Sequence, residues 1–184
     1  RLRVARLRAR RDAAEFQEIA SRPKVIAEAR AIRNRLDPRR ALMLSVDRLD
    51  YTKGIDVRLR AIEESLQRKL LSVDTMVHVQ IAVPSREPVP EYAEMRSQVE
   101  QTVGRINGEF SEPGRVAVHY FRRSVTREQL AAYYLAADVM LVTPLRDGMN
   151  LVAKEYIASR RDSSGVLVLS EFTGAAKELR RAIL

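Results

Sequence analysis

The chain has 184 residues, of which 46% are hydrophobic and 31% are charged, with a formal net charge of +9 and no cysteine. This length and composition are typical of a single globular domain, and they exclude a disordered chain, a disulfide framework and a thiolate metal site or nucleophile. No apolar run approaches the roughly 20 residues that span a bilayer, and no secretory signal pattern is present, so we expect a cytoplasmic protein without a membrane partner.

Most of the positive charge lies in residues 1–11, six of which are arginine and none acidic. Residues 12–184 carry 27 basic and 24 acidic side chains, a net charge of only +3. An arginine-rich arm can neutralise phosphates, but the rest of the chain has neither zinc-finger spacing nor an aromatic pair of the RNP type. We therefore do not expect a nucleic-acid partner. We assign residues 1–20 to a basic N-terminal segment and residues 21–184 to the folded domain.

The first predicted elements are two helices, at residues 12–20 and 24–36. Ser21 and Pro23 are placed to start the second helix, because serine caps helices and proline fits their first turn. The Asp-Pro pair that ends at Pro38 is placed to stop it, since the residue before a proline avoids the helical region.

Five short apolar runs predict buried strands. They lie at 41–46, 76–83, 115–121, 138–143 and 165–170. Their nearly continuous apolar character is typical of strands covered on both faces, and each run is followed by helical periodicity. Alternating strands and helices with short links predict an α/β, Rossmann-like domain, in which a parallel sheet has helices on both faces.

The two clearest helices between strands are predicted at 56–71 and 126–137. In the first, five apolar residues fall mostly on one stripe: Val57, Leu59, Ile62, Leu66 and Leu70. The second begins with Thr126 and has Gln129 three residues on, which is the pattern of a capping box. The chain's two histidines, His78 and His119, lie within predicted strands, and we interpret them as packing residues rather than catalysts.

The loop after the first strand, residues 47–56, reads DRLDYTKGID. In a parallel sheet, ligands bind beyond the carboxyl ends of the strands. Here Arg48 and Lys53 precede Gly54 and a helix start, so a diphosphate would meet two cations and the positive end of a helix. Both cations could equally be ordinary solvated surface charges.

The loop after the fourth strand, residues 143–155, reads TPLRDGMNLVAKE. Gly148 permits a tight turn, and a helix starts at Leu151 with free backbone N–H groups. Asp147 could accept hydrogen bonds from sugar hydroxyls, and Glu155 could reach back over the same pocket. Taken alone, the first could equally be a turn aspartate and the second a surface charge.

Both loops belong to a set of five ordered stretches that resembles trehalose-6-phosphate synthases. The stretches are SVDRLDYTKGID (45–56), PSR (84–86), GRINGEF (104–110), TPLRDGMNLVAKEY (143–156) and GVLVLSEFTGAA (165–176). The resemblance covers about residues 21–184. It implies one half of a two-domain B-type glycosyltransferase, which transfers glucose from UDP-glucose or GDP-glucose to glucose 6-phosphate with retention, in trehalose biosynthesis.

The resemblance also implies roles for individual residues. Arg48 and Lys53 would bind the donor diphosphate and Asp147 would hold the glucose hydroxyls, and these three would be the catalytic residues. Glu155 would hold the ribose hydroxyls. The backbone that follows the aspartate would contact the sugar and phosphate; it belongs to Gly148, Met149, Asn150 and Leu151.

Two further contacts are implied outside those loops. Val125 would make a backbone contact to the base, and Arg86 would bind the phosphate of the acceptor. In the mechanism usually proposed for the family, the departing phosphate takes the acceptor proton, so no paired carboxylates, metal ion or cofactor are expected.

The resemblance implies that the family's first domain would precede this region, so we expect a fragment that binds the donor without turnover. Three alternatives stay open: a glucosylglycerol-phosphate synthase or cyclitol pseudo-glycosyltransferase, a non-catalytic interaction module, and the nucleic-acid binder. The sequence does not decide between UDP and GDP, and a homo-oligomer also stays open.

Overall fold

The computed structural model describes residues 13–84, 90–160 and 164–184, which contain a five-stranded sheet with only parallel pairs. The strands are β1 (Ala41–Arg48), β2 (Met76–Val83), β3 (Val118–Arg122), β4 (Val139–Val142) and β5 (Val166–Leu169). Their spatial order is β3-β2-β1-β4-β5. The sheet order reverses between β1 and β4, and that switch point places the loops after these two strands side by side.

Helices precede the sheet and connect its strands. They are α1 (residues 13–20), α2 (Pro23–Arg35), α3 (Ile55–Gln67), α4 (Pro90–Phe110), α5 (Arg127–Ala136) and α6 (Leu151–Ser159). None of the helices in the described part of the chain is long and apolar enough to cross a membrane.

The helices cover both faces of the sheet, as predicted. Phe16 of α1 and Tyr134 of α5 are buried with the helices α2 and α6 against one face. Leu59 of α3 and Ile106 of α4 are buried against the other face. The fold class is therefore confirmed. Helix α1 is part of the folded core, because Phe16 and Ile19 are buried, so the folded domain includes residues 13–20, which we had assigned to the N-terminal segment.

All five predicted strands are present, but β3 starts later than the predicted residue 115. Residues 112–115 form a tight antiparallel bridge between Glu112 and Arg115. Gly114, with φ of 79°, supplies the left-handed conformation that this turn needs. The chain can pair with β2 only after the turn, at Val118.

The helix predicted at 56–71 ends at Gln67, four residues early. Lys69 has φ of 58°, a conformation that terminates the helix. As a result Leu70 is 68% exposed, and Val57 is 42% exposed because it faces away from the sheet. The prediction that five apolar residues form one stripe of this helix was therefore wrong for these two residues and right for the other three, which are buried.

Two helix starts follow their predicted signals. Pro23 is the first residue of α2, although the capping position is Arg22 rather than Ser21. At α5, the Thr126 hydroxyl accepts from the Gln129 backbone N–H, and the Gln129 side chain accepts from the Thr126 N–H at 3.0 Å. The capping box is therefore confirmed.

His78 is fully buried in β2, where its Nε2 lies 3.0 Å from the Ser45 hydroxyl oxygen of β1. Burial lowers the pKa of the imidazole to about 3, and the Arg58 cation adds to the effect. His119 is half-buried, and its pKa is lowered by burial and by Arg40. Both rings are therefore neutral packing residues near neutral pH.

The buried histidines give an expected pH dependence of stability. The unfolded state takes up a proton below about pH 6.5 while folded His78 does not, so stability is full above pH 6.5 and falls towards pH 3. Urea unfolding should give a free energy of unfolding about 2 kcal/mol lower at pH 5 than at pH 7.5. His78→Gln should remove most of this difference, since carboxylates titrate below that window. An unchanged slope in the variant would contradict the assignment.

Candidate functional site

Three loops meet at the carboxyl edge of the sheet. We call them the β1 loop (residues 49–54), the β4 loop (residues 143–150) and the β5 loop (residues 170–174), after the strands that they follow. The Leu145 backbone N–H donates to the Thr52 carbonyl at 2.8 Å, which joins the first two loops. The Gly174 N–H donates to the Asp147 carbonyl at 3.2 Å, which joins the last two. The two loops singled out in the sequence are therefore in direct contact.

The β1 loop is held in shape by Asp50. Its carboxylate accepts from the Thr52 N–H at 2.9 Å and from the Thr52 hydroxyl at 2.7 Å, capping a short 3-10 turn over Tyr51–Lys53. Burial would raise the pKa of this carboxyl, but the Thr52 bonds and the nearby cations together hold it below its ordinary value. Asp50 is therefore an ionised structural cap.

Gly54 ends that turn and begins α3 with φ of 62°. A Cβ at this position would lie 2.9 Å from the Thr143 carbonyl oxygen of the β4 loop. Only glycine allows both the left-handed conformation and this close approach. Gly54 therefore lets the two loops pack together.

Lys53 and Asp147 meet across the two loops. The Lys53 Nζ lies 2.6 Å from the Asp147 Oδ2, and the two side chains are 13% and 16% exposed. The same carboxylate oxygen accepts from the Asn150 Nδ2 at 3.0 Å. A sequence separation of 94 residues is thus closed by a largely buried ion pair between two residues that we predicted to bind the donor.

Arg48 is the last residue of β1 and is exposed. Within the described residues, the Arg48 guanidinium forms neither a hydrogen bond nor an ion pair. Its five N–H donors can therefore clasp a phosphate without first breaking a protein contact. The role that we predicted for Arg48, binding of the donor diphosphate, stays a prediction.

The β4 loop leads into α6, whose N-terminal cap, Asn150, comes three residues after Asp147. Asn150 caps the helix from a left-handed conformation, with φ of 48°, and its Oδ1 accepts from the Ala153 N–H at 3.0 Å. The exposed Gly148 and Leu151 flank this cap, and Met149 is half-buried. Backbone N–H groups at a helix N-terminus favour anionic ligands.

Gly148 lies in a bend of the β4 loop, but this bend does not require a glycine. Its φ is not in the left-handed region, and a Cβ there would meet nothing within 4 Å. Besides Gly54, a glycine is sterically required at Gly174 in the β5 loop, because a Cβ there would lie 1.8 Å from the Gly148 carbonyl oxygen. Sequence reasoning missed Gly174, since the contact joins loops 26 residues apart.

Glu155 lies on the second turn of α6 and is half-buried. Its Oε2 accepts from the hydroxyl of buried Tyr134 at 3.0 Å. Burial and the glutamate charge raise the pKa of Tyr134 well above its ordinary value, so the phenol keeps its proton as a donor. The tyrosine therefore fixes the carboxylate that we predicted to hold a ribose.

The two remaining predicted contacts are those of Val125 and Arg86. Val125 is half-buried and packs against the core just before the α5 cap. Arg86 lies outside the described residues.

Sequence reasoning missed a buried polar cluster beneath the loops. The Arg58 guanidinium of α3 donates to the Asp47 carboxylate at 2.6 Å and to the Gln80 amide oxygen at 2.9 Å. It also donates to the Thr143 hydroxyl at 2.9 Å and to the Lys53 carbonyl at 3.1 Å. A signal was present, because Arg58 falls on the buried stripe of α3, where a charged residue needs partners.

Comparison with known proteins gives a consistent result. The sequence model described as Glycosyltransferase family 20 matches residues 3–184. The chain is 58% identical over 173 residues to the trehalose-6-phosphate synthase of Mycolicibacterium smegmatis, covering 94% of this chain and 34% of that protein. It is 56% identical to that of Mycobacterium leprae, covering 94% of this chain and 35% of that protein.

Solved structures agree at the level of the fold. An alpha,alpha-trehalose-phosphate synthase (UDP-forming) from Burkholderia xenovorans, in complex with glucose-6-phosphate, matches with a TM-score of 0.86 and 42% identity. An E. coli structure bound with UDP-2-fluoro glucose matches with a TM-score of 0.86 and 39% identity. Each match covers 93% of this chain and 38% of the other. The chain thus spans about a third of the length of the relatives it matches.

Proposed function

The chain belongs to glycosyltransferase family 20, and from this membership and its loop geometry we propose that it is the nucleotide-sugar-binding part of a trehalose-6-phosphate synthase. The observation that carries the proposal is the Lys53–Asp147 pair. Near the N-terminus of α6, it brings together a cation suited to a diphosphate and a carboxylate suited to sugar hydroxyls.

The complete protein would transfer glucose from UDP-glucose to glucose 6-phosphate with retention. The high identity to trehalose-6-phosphate synthases supports this reaction. The neighbours bound to glucose-6-phosphate and to UDP-2-fluoro glucose support the acceptor and a UDP donor rather than GDP. We assign donor binding to this chain, with Arg86 as the acceptor-phosphate ligand, and place the protein in the cytoplasm.

The chemistry fits the charges on these loops. As the bond from the anomeric carbon to the donor phosphate breaks, negative charge grows on the diphosphate. Lys53, Arg48 and the α6 N-terminus are positioned to stabilise that charge as it forms. The bond from the acceptor oxygen to the anomeric carbon forms on the same face, and the acceptor proton passes to the departing phosphate.

Asp147 neutralises Lys53 in the structure. When the donor binds, the diphosphate would take over Lys53, while the glucose hydroxyls would donate to the Asp147 carboxylate. The pair would therefore keep the cation and the carboxylate in place for the donor, without leaving either charge unpaired in a poorly solvated position.

Calorimetric titration of the chain with UDP, UDP-glucose and GDP tests the proposal. We expect saturable binding of UDP and UDP-glucose, and weaker binding of GDP. Asp147→Asn should lower UDP-glucose affinity by about tenfold, because hydrogen bonds to a charged acceptor are lost, while UDP affinity stays within about threefold. A folded chain that binds neither UDP nor UDP-glucose would refute the proposal.

A further inference from the structure

One buried guanidinium connects the β1 and β4 loops, which we call the donor loops, to the sheet. Arg58 lies on the first turn of α3, and its side chain is 3% exposed. Two of its bonds go to Asp47 at the end of β1 and to Gln80 on β2. The other two go to the Lys53 carbonyl in the β1 loop and to the Thr143 hydroxyl at the start of the β4 loop.

We propose that Arg58 is a positioning residue for donor binding, which sets the distance between Lys53 and Asp147 by fixing both of their loops to the sheet. This inference rests on the proposed function. Arg58 acts through the backbone of Lys53 and the side chain of Thr143, because its guanidinium is buried beneath the loops.

The partners divide into a rigid anchor and two loop contacts. Asp47, 5% exposed at its side chain, is the counter-ion, and Gln80 donates to the same carboxylate oxygen at 3.3 Å. Both belong to central strands that pair along their full length. The anchor therefore holds the guanidinium still, and the remaining donors transmit its position to the loops.

A lysine could not replace these contacts. The four acceptors surround a planar group whose three nitrogens all donate, while an ammonium presents one point charge on a flexible stem. Arg58→Lys would keep a positive charge near Asp47 but would lose the bonds to Lys53 and Thr143. It therefore separates charge neutralisation in the core from positioning of the loops.

Arg40 offers a matched control. It is also a buried arginine, 3% exposed, and its guanidinium donates to the carbonyls of Met76 and Val116. These partners lie at the amino end of the sheet, opposite the donor loops. Arg40→Lys should therefore lower stability without changing the distance between Lys53 and Asp147.

The experiment measures hydrogen exchange of the Leu145 amide, which donates to the Thr52 carbonyl across the two loops, and the affinity for UDP. For Arg58→Lys we expect exchange at Leu145 to be about tenfold faster and UDP affinity about tenfold weaker. Arg40→Lys should change neither by more than about twofold. Should Arg58→Lys fail to fold, Thr143→Val removes one loop contact and should shift both measurements in the same direction.

The outcomes separate positioning from the proposed function. If Arg58→Lys and Thr143→Val leave exchange at Leu145 unchanged, or if Arg40→Lys has the same effect, the positioning role is overturned. If exchange accelerates but UDP affinity is unchanged, Arg58 anchors the loops but their spacing does not govern donor binding. That result also overturns the positioning role. A wild-type chain that binds no UDP refutes the proposed function, and the exchange result then decides whether Arg58 anchors the loops.

Discussion

Replacing Lys53 by methionine is expected to weaken UDP binding about 30-fold, which corresponds to roughly 2 kcal/mol. The methionine keeps the length and apolar stem of the side chain and removes only the ammonium. The Lys53 side chain is only 13% exposed, so the interaction of its charge with a bound phosphate is poorly screened by water. Calorimetric titration at fixed ionic strength measures the loss, with circular dichroism confirming that the variant is folded.

Lys24→Met is the matched control, because it removes the same charge from a lysine that is 90% exposed on α2. Its effect on UDP affinity should be less than about twofold, since exposed charges are largely screened by solvent and salt. Equal losses in the two variants would mean that UDP responds to overall charge. An unaffected Lys53→Met would mean that the diphosphate binds elsewhere.

Gly174→Ala is expected to disrupt the site through the backbone. The added methyl group would lie 1.8 Å from the Gly148 carbonyl oxygen, so one of the two loops must move. Overpacking of this kind costs about 3 kcal/mol or more when the neighbour is backbone. Because Gly148 follows Asp147 directly, the displacement should also weaken UDP-glucose binding. Thermal unfolding and calorimetric titration measure the two effects.

Gly104→Ala provides the control for this substitution. Gly104 lies within α4, and a Cβ there would meet nothing within 4 Å. Alanine in a helix interior should stabilise the chain by about 0.5–1 kcal/mol relative to glycine and leave donor binding unchanged. If Gly174→Ala were as benign as Gly104→Ala, the close packing of the β4 and β5 loops would be contradicted.

The parts of the fold that local sequence determines could be predicted. The β-branched runs gave all five strands, and Thr126 with Gln129 gave the start of α5. The location of Lys53 and Asp147 beyond the carboxyl ends of parallel strands was also predicted from a general rule, whereas the contact between them was not predicted. The elements depend only on neighbouring residues, and the location of the two loops depends only on their following parallel strands.

Features that depend on contacts between distant segments could not be predicted in the same way. Gly174 looks like an ordinary turn glycine until the β4 loop is placed against it. The four partners of Arg58 come from three separate segments, at residues 47–53, 80 and 143, so no spacing in the sequence identifies them. The early end of α3 depends on the left-handed conformation of Lys69, a residue type that gives no such signal.

The central claim is that the donor binds across the β1 and β4 loops, and nuclear magnetic resonance of the isotopically labelled chain titrated with UDP-glucose tests it most directly. We predict that saturable shifts of backbone amides concentrate at residues 48–54 and 147–155. Shifts confined to the groove between α2 and α5, which is lined by Ile32, His119 and Tyr133, would contradict the claim. So would an unchanged spectrum at millimolar UDP-glucose.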